Sequence, residues 1–63
     1  MVTSMTTTNL TDAQLDAIWI RAGRAGDLTM CGFVERALDG DDFSRRLVAR
    51  SARDVSIYAE AIR

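Results

Sequence analysis

The sequence predicts an all-α fold, a small three-helix bundle, on three observations. Apolar residues recur at helical spacing along most of the chain; two Gly-Asp steps, Gly26-Asp27 and Gly40-Asp41, punctuate that recurrence; and the segment after the second step runs to Arg63 without Gly or Pro. The helices are expected at about 11–24, 28–38 and 42–62, within a single domain spanning 10–63. A chain of 63 residues has room for one small domain only.

Residues 1–9, MVTSMTTTN, are rich in Thr and carry neither a helical nor a strand period. They are expected to form a flexible leader, with Met5 as an alternative start. The character changes at Thr11, which is followed three residues later by Gln14 in the form of a capping box. Leu10 ahead of it is placed to staple onto Leu15, and Asp12 puts a negative charge in the first turn, where the helix dipole favours it. Leu15, Ile18, Trp19 and Ala22 follow the i, i+3, i+4, i+7 spacing of one buried face, and Ile20 sits off it. Arg21 and Arg24 occupy the last turn, and Gly23 or Gly26 can supply a left-handed C-terminal cap.

Asp27 directly after Gly26 is a good N-cap for the second helix. One stripe of that helix is Leu28, Cys31, Val34 and Leu38, and an adjacent one is Met30, Phe33 and Ala37. It is therefore apolar around more than half its girth and is expected to lie centrally. Gly32 in mid-helix costs about 0.5–1 kcal/mol relative to Ala, a cost that close approach of another backbone would offset. A strand over 30–34 would be isolated and unstable alone.

Gly40 repeats the stop signal, and Asp41 or Asp42 the start signal, for the third and longest helix. Phe43, Leu47, Val48, Ala52, Val55, Ala59 and Ile62 trace its expected apolar face. Arg46, Arg50 and Arg53 lie opposite. Asp42 to Arg46 is a favourable acid-first pair and Arg50 to Asp54 a weaker basic-first one.

Composition narrows the chemistry. One cysteine and no histidine exclude an internal disulfide and the usual Cys/His zinc set within one chain, and a core this small seldom suffices alone, so oligomerisation or docking on a larger partner is the expected further source of stability. The formal net charge is -1, from 8 basic and 9 acidic residues, and announces neither a polyanion-binding nor a DNA-mimicking surface. Every basic residue is Arg. No apolar stretch approaches the roughly 20 residues of a membrane span, and no signal-peptide pattern is present, which predicts a cytoplasmic protein.

The run Ala25-Gly26-Asp27-Leu28-Thr29-Met30 and then Glu35-Arg36-Ala37-Leu38-Asp39-Gly40-Asp41 resembles an AGDLxM…ERALxGD pattern of short helical proteins from phages, plasmids and proteobacteria. It covers the middle of the chain, with a fainter likeness along the Arg- and Ala-rich third helix. Members of that set commonly place a Cys where this chain has Val34, whereas its own cysteine is Cys31. The resemblance implies a mobile-element context and no particular activity.

No catalytic set is expected. Cys31 lacks a His to activate it and reads as a small buried hydrophobe. Asp39, Asp41 and Asp42 fall short of a DxDxDG-type calcium loop and read as helix caps. The Gly-Asp turns lack the glycine spacing that cradles phosphates, and an acid at a helix N-terminus opposes anions. No cofactor, metal or small-molecule substrate is expected. The expected function is a protein-binding module, a phage or mobile-element accessory protein that binds and inhibits a host complex, of the anti-CRISPR kind, in the host cytoplasm if phage-encoded. Its contacts are expected from surplus apolar residues, Ile20, Met30, Phe33, Ile57 and Tyr58, with Arg46, Arg50 and Arg53 as polar rim. A homodimer is a further possibility. The alternative is a helix-turn-helix-like DNA-binding regulator using Arg45, Arg46, Arg50 and Arg53.

Overall fold

A computed structural model describes residues 10–62, and the expected leader 1–9 lies outside them. The described chain is helical and contains no strand. Helix α1 spans Asp12–Ala25, α2 Leu28–Leu38, α3 Asp42–Asp54 and α4 Ser56–Ala59, followed by a single 3-10 turn over Glu60–Ile62. The count differs from the three expected helices because the third is broken at Val55.

The start of α1 is set by the capping box. Gln14 N–H donates to Thr11 Oγ1 at 3.1 Å, and Thr11 N–H donates back to Gln14 Oε1 at 2.9 Å. Leu10 and Leu15 on either side of the cap are both buried in the same core, as a hydrophobic staple requires. Gln14 also reaches the other end of the chain, donating from Nε2 to the Ile62 carbonyl at 3.2 Å.

Each Gly-Asp step closes one helix and opens the next. Gly26 takes a left-handed φ of 75°, which lets its N–H reach Gly23 O at 3.2 Å and lets Asp27 N–H reach Ala22 O at 2.9 Å. That bond pair is a Schellman motif. Gly40, at φ 108°, repeats it: its own N–H reaches Ala37 O at 3.1 Å and Asp41 N–H reaches Arg36 O at 3.0 Å. The aspartates then face forward. Asp27 Oδ1 accepts Met30 N–H at 3.2 Å and caps α2. Asp41 Oδ2 accepts the Ser44 hydroxyl at 2.6 Å in the first turn of α3.

The core draws on every helix: Leu15, Ile18 and Ala22 from α1, Met30, Val34 and Ala37 from α2, Val48, Ala49 and Ala52 from α3, and Tyr58 from α4. Its many alanines let the helix axes approach closely. Contacts run from α1 to α2, from α2 to α3, from α3 to α4, and from α4 and the 3-10 turn back to α1. The C-terminal segment thus fills the gap that α1 and α3 leave beside α2.

That closure explains the break. In an unbroken helix Tyr58 would stand about 120° round from Ala52, since each residue advances about 100°. Val55 instead adopts an extended backbone, φ -108° and ψ 118°, after its N–H has met Ser51 O at 3.3 Å. Extended geometry suits a β-branched residue. Its carbonyl accepts from Tyr58 N–H at 3.0 Å and Ala59 N–H at 2.8 Å to restart the helix, and Tyr58 turns inward. Tyr58 is 2% exposed, which corrects the expectation that it is surplus surface.

Several expected core positions also change. On α3 the buried residues are Ser44, Val48 and Ala52, four apart, with Ala49 beside Val48, and Phe43 stands outside them at 67% exposure. A serine occupies a core position because Asp41 satisfies its hydroxyl. On α2 the buried row is Met30, Val34 and Ala37, drawn from both expected stripes, leaving Leu28 77% exposed and Leu38 exposed at the helix end. Trp19 lies at the margin of the α1 face, its indole N–H donating to Glu35 Oε2 at 3.1 Å. Nothing approaches Gly32 within 4 Å of where a Cβ would stand, so close backbone packing does not explain it.

Candidate functional site

Helices α2 and α3 meet over Met30, Val34 and Val48 on their inner side, and on their outer side they leave a groove. Its floor is Met30 and Val48, and its walls are Phe33 from α2 and Leu47 from α3. Two further recesses continue it. Phe33 is shared with one on α2 that includes Leu28, and Leu47 with one on α3 that includes Phe43. Apolar side chains from Leu28 through Phe33 and Leu47 to Phe43 thus line adjoining recesses, with Asp27, Thr29 and Ser51 among them. The central groove holds about 250 Å³ and is open, whereas small-molecule sites are usually enclosed clefts of roughly 300–1,000 Å³.

The exposure of these side chains follows from their place in each helix. Leu28 is the first residue of α2 and Phe43 the second of α3, and each precedes the buried row of its helix, which begins at Met30 and at Ser44. Leu47 is half-buried beside the buried pair Val48 and Ala49, at the margin of the inner face of α3. Helical periodicity assigned all three to buried faces.

Arginines border the apolar strip. Arg36 holds its guanidinium 5.9 Å from the Phe33 ring centroid, a cation–π contact at the α2 edge. Arg46 and Arg50 flank Phe43 and Leu47 on α3. Arg46 shares a 3.4 Å ion pair with Asp42, both groups well exposed, whereas among the described residues Arg36 and Arg50 have no ion-pair partner. The one acid in the groove wall, Asp27, is engaged internally by Met30 N–H and the Tyr58 hydroxyl. The strip combines apolar side chains with Asp27, Thr29 and Ser51 at its centre and arginines at its edge.

Of the residues expected to make contacts, the structure brings Phe33, Arg46 and Arg50 onto this surface, with Arg53 further along the same exposed side of α3 around Ala49. Met30 is 8% exposed and forms floor, which corrects its expected exposure. Ile20 is exposed on α1, and Ile57 lies on a separate recess with Arg21, Arg24 and Glu60. Arg45 does not face outward for phosphates. It reaches across the core edge, donating to the Leu10 carbonyl, to the Ala37 carbonyl at 3.3 Å and to Asp12 Oδ1 at 2.9 Å. Cys31 is half-buried against the core, its thiol 3.8 Å from the Trp19 carbonyl.

Among the described residues no three His, Cys, Asp or Glu side chains are grouped to hold a metal ion, and no helix is long and apolar enough to cross a membrane. Fold and surface together define a small all-α protein with a shallow, arginine-edged apolar groove. No known protein family, curated protein or solved structure matches the chain.

Proposed function

We propose that the protein is a small non-enzymatic protein-binding module that holds its partner on the α2–α3 groove. One observation carries this reading: the exposed Leu28 and Phe43 flank the half-buried Phe33 and Leu47 around the groove between α2 and α3. Scattered exposed apolar residues need no explanation, but a connected strip with a polar edge has the anatomy of an interaction surface. The setting we propose is an accessory protein of a phage or other mobile element, acting in the cytoplasm by occupying a host complex, as anti-CRISPR proteins do. What supports the setting is the likeness of residues 25–41 to the mobile-element pattern.

The test is comparative capture. Immobilised wild-type protein and Phe43→Ser are each incubated with lysate of the cell in which the protein is made, and retained proteins are identified. A partner held by the wild type and lost by the variant is expected. If both baits retain the same proteins, or neither retains any, the reading falls.

A second reading is a small DNA-binding regulator, and the exposed face of α3 with Arg46, Arg50 and Arg53 favours it. Phosphate contacts of that kind give binding that weakens steeply with salt. A mobility-shift titration at two salt concentrations separates the readings, since sequence-dependent retention by duplex DNA moves the function to α3. Phe43 and Leu47, which would gain nothing against phosphates, favour a protein.

A further inference from the structure

We propose that the occupant of the α2–α3 groove is an acidic amphipathic helix of another protein. This rests on the protein-binding reading above and names the class of its partner.

A groove between two packed helices matches the ridge of side chains along a third, and helices that dock in this way present apolar residues at i, i+3, i+4 and i+7. Met30 and Val48 supply a floor with Phe33 and Leu47 as walls, and Leu28 and Phe43 extend the apolar surface at its two ends. The strip has the composition of a helix-facing surface that lacks its third helix. On the inner side of the same helices that place is taken by α1 and Tyr58.

Charge then selects among occupants. Three arginines, Arg36, Arg46 and Arg50, border the strip against a single acid in its lining, Asp27, whose carboxylate is turned to Met30 N–H and the Tyr58 hydroxyl. Arg50 and Arg36 have no ion-pair partner among the described residues, and Arg46 has only the long, exposed contact to Asp42. A helix carrying Glu or Asp beside its apolar ridge would pair with these guanidinium groups, and Arg is well suited to bidentate pairing with carboxylates. A basic helix would meet like charge on both sides. A second copy of this chain docked through the same groove about a two-fold axis would bring the two arginine borders together, so self-association is disfavoured on the same ground.

The experiment uses the full chain and two fluorescent probe peptides of about four helical turns, each with Leu at i, i+3, i+4 and i+7. One carries Glu at the flanking positions and the other Lys. Fluorescence anisotropy is expected to show the Glu peptide binding at least about tenfold more tightly than the Lys peptide at low salt, with the gap narrowing as salt rises. Phe43→Ser weakens the Glu peptide, and the double variant Arg46→Glu with Arg50→Glu shifts the preference toward Lys. All three side chains are exposed, so these variants keep the fold, and a thermal melt verifies it.

Equal binding of the two peptides, both weakened by Phe43→Ser, overturns the acidic class while leaving the groove as a protein-binding surface. Absence of binding by either peptide overturns the helix proposal, and the capture experiment then decides the broader reading on its own. Tight binding of a labelled DNA duplex in place of both peptides overturns both.

Discussion

Tyr58 and Asp27 are joined across 31 residues of sequence by a 2.8 Å hydrogen bond from the phenol to Oδ2. The other oxygen of the same carboxylate caps α2, and the backbone N–H of the same residue closes α1. Asp27 therefore links three helical segments. Burial first, and Asp27 second, push the Tyr58 phenol up from 10.0 to about 12.

That shift has a definite sign. The folded state holds the phenolic proton more tightly than the unfolded chain, so the contribution is fully present below about pH 10 and is lost as pH rises through about 12. Thermal melts across that interval are expected to fall steeply for the wild type and less for Tyr58→Phe. At neutral pH the same variant loses a hydrogen bond to a charged group and is expected to be about 1.5 kcal/mol less stable. Tyr58 is the only tyrosine, so its phenolate absorbance reports this ionisation alone. An unshifted spectrophotometric titration would contradict the linkage.

Arg45 and Arg46 are neighbours in sequence with opposite roles. Arg45 ties the carbonyls before α1 and at the end of α2 to α3 and pairs with Asp12, while Arg46 makes one exposed pair. Arg45→Ala is expected to cost about 2 kcal/mol through two carbonyls left without this donor, and Arg46→Ala no more than about 0.5. Chemical denaturation of the two variants checks the difference. Equal losses would mean that Arg45 is as dispensable as its neighbour.

The glycines divide by backbone conformation. Gly32 has helical geometry and open space where a Cβ would stand, so Gly32→Ala is expected to stabilise the protein by about 0.5–1 kcal/mol. Gly40 at φ 108° and Gly26 at φ 75° have space as well but lie in the left-handed region. Alanine at either position is expected to destabilise by about 1–2 kcal/mol through backbone strain alone. Melting temperatures moving in opposite directions confirm this division.

The Ser44 hydroxyl holds the Asp41 carboxyl below its ordinary value of 3.8, with backbone N–H groups of Phe43 and Ser44 adding to it. A depressed carboxylate pKa gives stability that is present above the unfolded value and is lost as pH falls through the folded one. Ser44→Ala is therefore expected to lower stability at neutral pH and to make the remaining stability less sensitive to acid below about pH 4. Melts at neutral and acid pH measure both changes. A variant as acid-sensitive as the wild type would place that sensitivity elsewhere.

Much of the fold was legible because its signals are local. The Thr11–Gln14 box, the two Gly-Asp steps and the rows through Leu15, Ile18 and Ala22 each depend on residues within a turn or two of one another, and the structure places them as expected. The exposed surface was less legible. Arg46, Arg50 and Arg53 are identifiable as outward, but Leu28 and Phe43 fall on buried faces by the same periodicity that locates the helices.

What the sequence by itself determined is where α1 and α2 begin and end and where α3 starts, because capping bonds and the left-handed glycines act over three to five residues of backbone. Tertiary structure decided the rest. Whether Tyr58 points in or out, whether Ser44 or Phe43 takes the core row of α3, and which partners Arg45 finds all depend on contacts between residues far apart in the chain. The break at Val55 is the plainest case. No Gly or Pro marks it, and it forms because turning Tyr58 onto Asp27 and Ile62 onto Gln14 closes the gap between α3 and α1.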